Sequence, residues 1–398
     1  MTLRRRALMV SAAGLRALAN AMLATLRIML WPRRRPLCAQ RICVCRIGAI
    51  GDLVCAAPAL WAIRRAYPAA RLTLLTTPGK YRGARHADEL FGSADWLDEV
   101  IVYDINDIAS ASNRLAFARR LRARNFDLWF DLTLDRARLS RMLRDMILAR
   151  LLGVRWAFGW RLEHMDFAAK AEAEAMEFPD EVERLARVLA SCGIEDATTY
   201  PPLVDDAQDR LMGNILRGFE TSGRPIIALA PGARRPCNFW PAERFREVCA
   251  TMAASGAAVF MLGGADDFAT CEEIRGRAHD ARNLAGKLSL MQTCALLSRC
   301  DLLICVDSGP QHLAAAVGTR CVAIFSQRNP RRRWYPHGRG HIVLEGEVEC
   351  HTCLLDTCPF DNRCMKQIST AQVLDAADSI LRLTFPHHAG EIAQPAAK

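Results

Sequence analysis

The sequence predicts an α/β protein with two parallel sheets in series, and three observations predict it. In Asp301–Phe325, DLLICVDSGPQHLAAAVGTRCVAIF, apolar Leu302–Val306 reads as a buried strand with Asp307 at its carboxyl end. Pro310 fits the first turn of a helix, Gly318 its stop, and Cys321–Phe325 a second buried strand. Far upstream, in Arg41–Pro68, another strand runs into Gly48-Ala49-Ile50-Gly51-Asp52 and directly into a helix. Between the two, Thr198–Pro202 and the polar stretch to Gly223 read as a break, after which the alternation restarts. Two such runs imply two parallel sheets with right-handed crossovers, and a crevice between two such domains is a natural nucleotide site. The predicted segments are 1–36, a first domain 37–205, a linker 206–222, a second domain 223–386 and a flexible tail 387–398.

The first segment differs from the rest. Arg4–Arg6 precede the mostly apolar run Ala7–Trp31, which Arg16, Asn20 and Arg27 interrupt, and Arg33–Arg35 follow. At 100° per residue, Arg5, Arg16, Asn20 and Arg27 share a wedge of roughly 60°, with Met9 and Leu23 among them. A transmembrane span would place two arginines in hydrocarbon at about 2.5–3.5 kcal/mol each. A helix lying in the membrane interface turns them outward at little cost. A signal peptide is the rival, since Ala19-Asn20-Ala21 resembles a cleavage site. The interrupted apolar run favours a basic amphipathic membrane-surface segment.

In the first domain, strands are expected at Ile42–Ile47, Leu72–Thr76, Val100–Tyr103, Leu128–Leu132 and Trp156–Phe158. Helical pattern lies at Val54–Ala66, Arg114–Arg124, Leu139–Leu152 and Asp180–Ser191, the last with Glu181, Glu183 and Arg187 on its wet side. In the second domain the order is strand Ile226–Ala230, helix Ala242–Ala254, strand Ala258–Leu262, helix Leu290–Ser298, then the Asp301–Phe325 unit.

At 398 residues and 51% hydrophobic, each half can bury a full core. The net charge of +10 suits anionic partners, phosphates or an acidic membrane surface. Nucleic acid is disfavoured, because no basic patch interleaves with aromatics and no binding motif is present. Most of the sixteen cysteines stand singly inside apolar runs, as free thiols do in a reducing compartment.

The turns carry the chemistry. Gly48 and Gly51 allow a tight reversal and close approach of another molecule to the backbone. This G-x-x-G-D pattern lacks the first G-x-G of a dinucleotide fingerprint, so a nicotinamide enzyme is disfavoured. Asp52 is either a dipole partner of its helix or a base that accepts a proton from a hydroxyl. The phosphates of a nucleotide fit on Ser308–His312, with Asp307 and His312 facing what they carry. In Ile226–Phe245, IIALAPGARRPCNFWPAERF, a strand ends at Pro231-Gly232, and Arg234 and Arg235 are either a diphosphate grip or a solvated basic loop.

Taken together, GAIGD, PGAR…WPAERF, MLGGADD, NLAGKLSL and DSGPQHLAAAVGT resemble glycosyltransferase family 9, the lipopolysaccharide heptosyltransferases and their relatives. The resemblance covers roughly Arg41 to Leu381. It implies a GT-B fold, with the acceptor on the first Rossmann-like domain and a nucleotide-sugar on the second. It also implies inverting, metal-independent transfer, usually from an ADP-heptose to a lipid-linked core oligosaccharide, with no cofactor required, at the inner face of the cytoplasmic membrane. The family's catalytic base falls on Asp52. Gly48 and Gly51 fall on the acceptor-side loop. Asp307, Ser308, Gly309, His312, Gly232, Arg234, Arg235 and Lys287 fall on the donor side.

Two departures stand out. Asn238 occupies the place of a usual lysine, so Arg234 or Arg235 supplies the charge or the donor differs. Phe325-Ser326-Gln327-Arg328 replaces the usual F-G-P-T. Cys350, Cys353, Cys358 and Cys364, spaced C-x2-C-x4-C-x5-C, are open to structural zinc, disulfides or free thiols. The competing readings are a nucleotide-sugar epimerase, a family member moving another sugar, and a non-catalytic membrane-attached binding partner.

Overall fold

The computed structural model describes residues 3–77, 87–92, 94–104, 106–132, 139–162, 178–217, 219, 221 and 223–383. The predicted tail 387–398 lies outside them. The chain forms two compact units, Met1–Pro201 and Pro202–Lys398.

Unit 1 holds strands β1 (Arg41–Cys45), β2 (Arg71–Thr76), β3 (Glu99–Val102), β4 (Leu128–Asp131) and β5 (Trp156–Gly159). Its helices are α1 (Leu3–Leu30), α2 (Ile50–Ala66), α3 (Ala87–Phe91), α4 (Ala111–Arg122), α5 (Leu139–Leu151) and α6 (Glu181–Ala190). The strands pair in parallel in the order β3-β2-β1-β4-β5. Central β1 and β4 are buried on both faces, which is why they read as unbroken apolar runs rather than alternating ones. Ser110 and Asp180 cap α4 and α6 by accepting the N–H of Asn113 and Glu183.

Unit 2 holds β6 (Ile226–Ala230), β7 (Ala258–Met261), β8 (Ala281–Asn283), β9 (Leu302–Val306), β10 (Cys321–Phe325) and β11 (Ile342–Glu345), in the parallel order β11-β10-β9-β6-β7-β8. Its helices are α7 (Asp206–Arg217), α8 (Ala242–Ala254), α9 (Phe268–Arg275), α10 (Leu290–Leu297), α11 (Gly309–Ala316), α12 (Arg363–Lys366) and α13 (Thr370–Leu381). The core gathers Leu229, Phe245, Met261, Ile304, Ile324, Met365 and Val373. In each unit the first strand lies beside the fourth, the doubly wound order whose reversal makes a crevice at the carboxyl edge between those two strands.

The structure corrects three expectations. The segment 206–222 expected as a linker contains α7, whose Met212 and Leu216 are buried. The acidic cluster that read as a break is its start: Asp205 accepts the Gln208 N–H at 2.7 Å, and Asp206 and Asp209 lie in the first turn, where the helix dipole favours them. Glu181 is not on a wet side; it is fully buried against two arginines.

The third correction concerns α1. Asn20, Leu23 and Arg27 of its polar wedge face the protein, and the side chain of Arg5 lies outside the described residues. Asn20 exchanges two hydrogen bonds with the backbone of Leu162, at 2.8 and 2.9 Å. The Arg27 guanidinium donates to the carbonyls of Pro32 and Ala157 and lies 5.0 Å over the Phe158 ring. Leu23 of the same wedge and Trp31 are in the unit 1 core, where Trp31 stacks on Trp160 and donates to the Val154 carbonyl.

Candidate active site

In unit 1, β1 delivers its chain to the switch point beside β4, and the Gly48–Asp52 turn begins there. The strand itself is buried, whereas Gly48, Ala49, Gly51 and Asp52 keep part of their surface. The Asp52 carboxylate accepts the Ala49 N–H at 2.7 Å, folding back over the start of α2. A Cβ on Gly48 would stand 2.4 Å from the Asp52 Cβ, so only glycine leaves room for that carboxylate. Gly51 is simply the second residue of α2.

Beneath Asp52 lies a network that the sequence reading missed. Arg46, fully buried, donates to the carbonyls of Asp52 (3.2 Å) and Leu132 (2.9 Å) and to Glu181 (2.8 Å). Its Nη2 also lies 3.8 Å from an Asp52 carboxylate oxygen. Arg184 makes two 2.7 Å bonds to Glu181 from the other side. The buried Glu181 carboxylate is thus paired with two buried guanidiniums, and Arg46 links that pair to the partly exposed Asp52. The signal was present: Arg46 stands in an apolar run two residues before Gly48, where an arginine needs a buried partner.

Also at this edge is Asp131, the last residue of β4. Burial, with the nearby Asp145 carboxylate, pushes its pKa up to about 8 against the opposing pull of Arg141 and Arg144.

In unit 2, two neighbouring turns occupy the switch point between β6 and β9. After β9, the Asp307 carboxylate accepts from the Asn238 side chain at 3.1 Å, from Gln311 at 3.1 Å and from Asn329 at 3.4 Å. Burial pushes its pKa up to about 6, while the Arg235 and Arg328 charges and the amide donors hold it below what burial alone would give. Ser308 is the N-cap residue of α11 with its hydroxyl turned to the Val306 carbonyl; Gly309 and Pro310 open the helix. His312 is buried with its ring edge-on to Trp334.

After β6, Gly232 is where two turns touch, since a Cβ there would stand 2.4 Å from the Asp267 carboxylate. That carboxylate accepts the Gly264 N–H, and Gly286, in the loop that carries Lys287, bonds the Gly263 carbonyl. Lys287 itself donates to the Asn283 carbonyl at 2.9 Å and covers the Phe268 ring. Of the expected donor-side residues, Asp307, Ser308, Gly309, His312 and Arg235 therefore gather around β9, while Gly232 and Lys287 belong to a second cluster at β7 and β8. Arg234 is exposed on the loop between the two.

The two departures from the family pattern explain each other. Asn238 is buried; it donates to Asp307 and accepts the Ser326 hydroxyl at 2.6 Å. Ser326 belongs to the altered tetrapeptide, and so does Arg328, which shares Asp356 with Arg235 at 2.8 and 2.9 Å. Asp356 comes from the cysteine loop, which is tied down by backbone bonds from Thr352 to Gln327, Leu354 to Arg328 and Cys237 to Asp356. Among the described residues no three His, Cys, Asp or Glu side chains converge to hold a metal, and all four thiols of the loop are free. Here the loop's visible work is to bring one carboxylate between two arginines.

Two Rossmann-ordered parallel sheets in series are the arrangement of the GT-B class, to which many sugar transferases belong. The family model for glycosyltransferase family 9 (heptosyltransferase) matches residues 114–363, and the chain belongs to that family. It is 26% identical over 349 residues to lipopolysaccharide heptosyltransferase 3 of Escherichia coli, covering 83% of this chain and 96% of that one. It is 28% identical over 172 residues to lipooligosaccharide heptosyltransferase 2 of Campylobacter jejuni, covering 40% of this chain. That second match spans about half of the relative, 52% of its length. The solved ADP-heptose lipopolysaccharide heptosyltransferase II of Escherichia coli superposes with a TM-score of 0.63 at 20% identity, over 87% of this chain and 99% of that one, and shares the fold.

Proposed function

We propose that this protein is an inverting glycosyltransferase that moves a sugar, heptose from ADP-heptose, onto a lipid-linked lipopolysaccharide core acceptor at the cytoplasmic face of the membrane. The observation that carries the reading is the placement of two aspartates of different character at equivalent switch points. Asp52, on an accessible turn, is the base that takes the proton of the acceptor hydroxyl as that oxygen attacks the anomeric carbon. Arg46 and the Ala49 N–H hold its carboxylate in place. Asp307 and the opening of α11 at Ser308 and Gly309 hold the nucleotide-sugar, with His312 beneath. Arg235 and Arg328, kept side by side by Asp356, meet the charge that grows on the departing diphosphate. The charge of the usual lysine is thus relocated to Arg328, while Asn238 serves Asp307. The step needs no metal in this account, because base and anion stabilisation both come from side chains. Membership of a transferase family gives the epimerase reading no support.

The test is Asp52→Asn assayed with ADP-heptose and a purified core acceptor. Turnover is expected to fall by about 10²–10⁴-fold with donor affinity, by calorimetry, unchanged. Turnover within a few-fold of wild type would remove Asp52 as the base. Screening ADP-, GDP-, UDP- and dTDP-sugars by thermal shift identifies the donor, since the one that binds raises the melting point.

A further inference from the structure

With Asn20, Leu23 and Arg27 facing unit 1, α1 presents an apolar stripe outward. Leu18 is 69% and Met29 78% exposed, and Leu15 and Met22 are exposed beside them. At 100° per residue these four share a strip of about 60° on the helix. Helix α5 packs against α1 and adds Ile147 and Leu151, one turn apart and both exposed. Six bare apolar side chains on two adjacent helices are far more than scattered surface leucines.

Arginines border this surface. Arg33 and Arg34 follow α1 and are exposed, and Arg144 and Arg150 flank Ile147 at three residues on either side. Unit 1 as a whole carries 31 Lys and Arg against 22 Asp and Glu, a net +9, whereas unit 2 carries 22 against 21, a net +1. Nearly the whole charge of the protein therefore lies on the unit with the bare apolar strip. An apolar strip edged with arginine matches the acyl–headgroup boundary of an anionic bilayer, where the stems bury and the guanidiniums meet phosphates.

The stretch Ala13–Leu30 is long and apolar enough to span a membrane. Its contacts speak against spanning: Asn20, Arg27, Leu23 and Trp31 are joined to unit 1 along nearly three turns, and a spanning helix would have to abandon all of them.

We propose that the outward strip of α1, with Ile147 and Leu151 of α5, is a docking surface that seats the folded unit 1 on an anionic bilayer, with α1 lying in the membrane plane. The helix is then part of the domain rather than a detachable tether. This rests on the membrane-side reading of the acceptor given above, and the test keeps the two apart.

The experiment is vesicle flotation of the full chain with phosphatidylcholine alone and with roughly a third phosphatidylglycerol added. The variants are Leu18→Asp/Met29→Asp, Ile147→Asp/Leu151→Asp and, as a control exposed leucine in unit 2, Leu383→Asp. The wild type and the control are expected to float with the anionic vesicles, and the two double variants at least about tenfold less, with melting curves and transfer to a soluble, delipidated acceptor unchanged. Flotation of the double variants equal to wild type overturns the proposal. So does a wild-type dimer that the double variants abolish without any change in flotation, since a second copy then covers the strip. If the wild type floats as expected but transfers no sugar, the docking surface stands and the transferase reading falls.

Discussion

The two switch points hold their aspartates by opposite means. In unit 1, Asp52 rests on a buried ionic network of Arg46, Glu181 and Arg184. In unit 2, Asp307 accepts from neutral amides of Asn238, Gln311 and Asn329, and Arg235 and Arg328, whose charges also act on it, are bridged by Asp356. The same strand order thus supports two different electrostatic sites. If Asp52 is the base proposed above, its ion pairs would keep its carboxylate in one orientation through the proton transfer. The amides around Asp307 would then leave the positive charge of Arg235 and Arg328 for the proposed diphosphate. The units differ in the same sense outside their sites: unit 1 is basic with a bare apolar strip, and unit 2 is nearly neutral.

The sharpest way to break this comparison is to unpair the buried network. Arg46→Met takes from buried Glu181 its 2.8 Å guanidinium partner and is expected to cost unit 1 about 3–5 kcal/mol. The same loss is not expected from Asn238→Ala in unit 2, where no buried charge is stranded. Chemical denaturation followed by probes in each unit distinguishes the two. Equal destabilisation would show that the networks do not differ in kind.

The next effect concerns α1. Trp31→Ala removes a core indole stacked on Trp160 and is expected to destabilise unit 1 by about 3–5 kcal/mol at the upper end, less where the site collapses. Its melting transition should fall while that of unit 2 stays. A truncated chain lacking residues 1–31 that melts like the full one would return α1 to the status of a tether.

Smaller again is the arginine pair. Arg328→Ala and Arg235→Ala are each expected to weaken nucleotide-sugar binding roughly tenfold, about 1.4 kcal/mol, with the double variant departing from additivity because both share Asp356. Binding unaffected by both changes would move the diphosphate elsewhere.

The last is a pH effect at Asp131. Its pKa is about 8 in the fold and ordinary in the unfolded chain, so the native state binds the proton more tightly. The stability this contributes is full below the unfolded value and is lost as pH rises through about 8. Asp131→Asn removes the dependence, so its melting point relative to wild type should climb steadily from pH 5 to about pH 8 and level off above it. A constant difference across that range would mean that the carboxyl group titrates normally.

Much of this was legible in the residues. The strand–turn–helix at Asp301–Phe325, the Gly48–Asp52 turn and the family membership all rest on local pattern: apolar runs of strand length, proline at a helix start, glycine where backbone crowds a side chain. The same logic failed at 206–222, where Asp205, Asp206 and Asp209 are helix-start residues that also mark loops. It failed again at Glu181, whose place on a helix says nothing of whether its neighbours are water or arginine.

The sequence by itself determined the central strands, the turns that follow them and the chemistry on offer at each, because these depend on side chains a few positions apart. Only the tertiary structure decided which way α1 faces, which residues brace Asp52 and that Asn238, Ser326, Arg328 and Asp356 act together. Those outcomes depend on partners dozens to more than a hundred residues away, and a buried charge or an amphipathic helix takes whichever partner the packed chain brings to it.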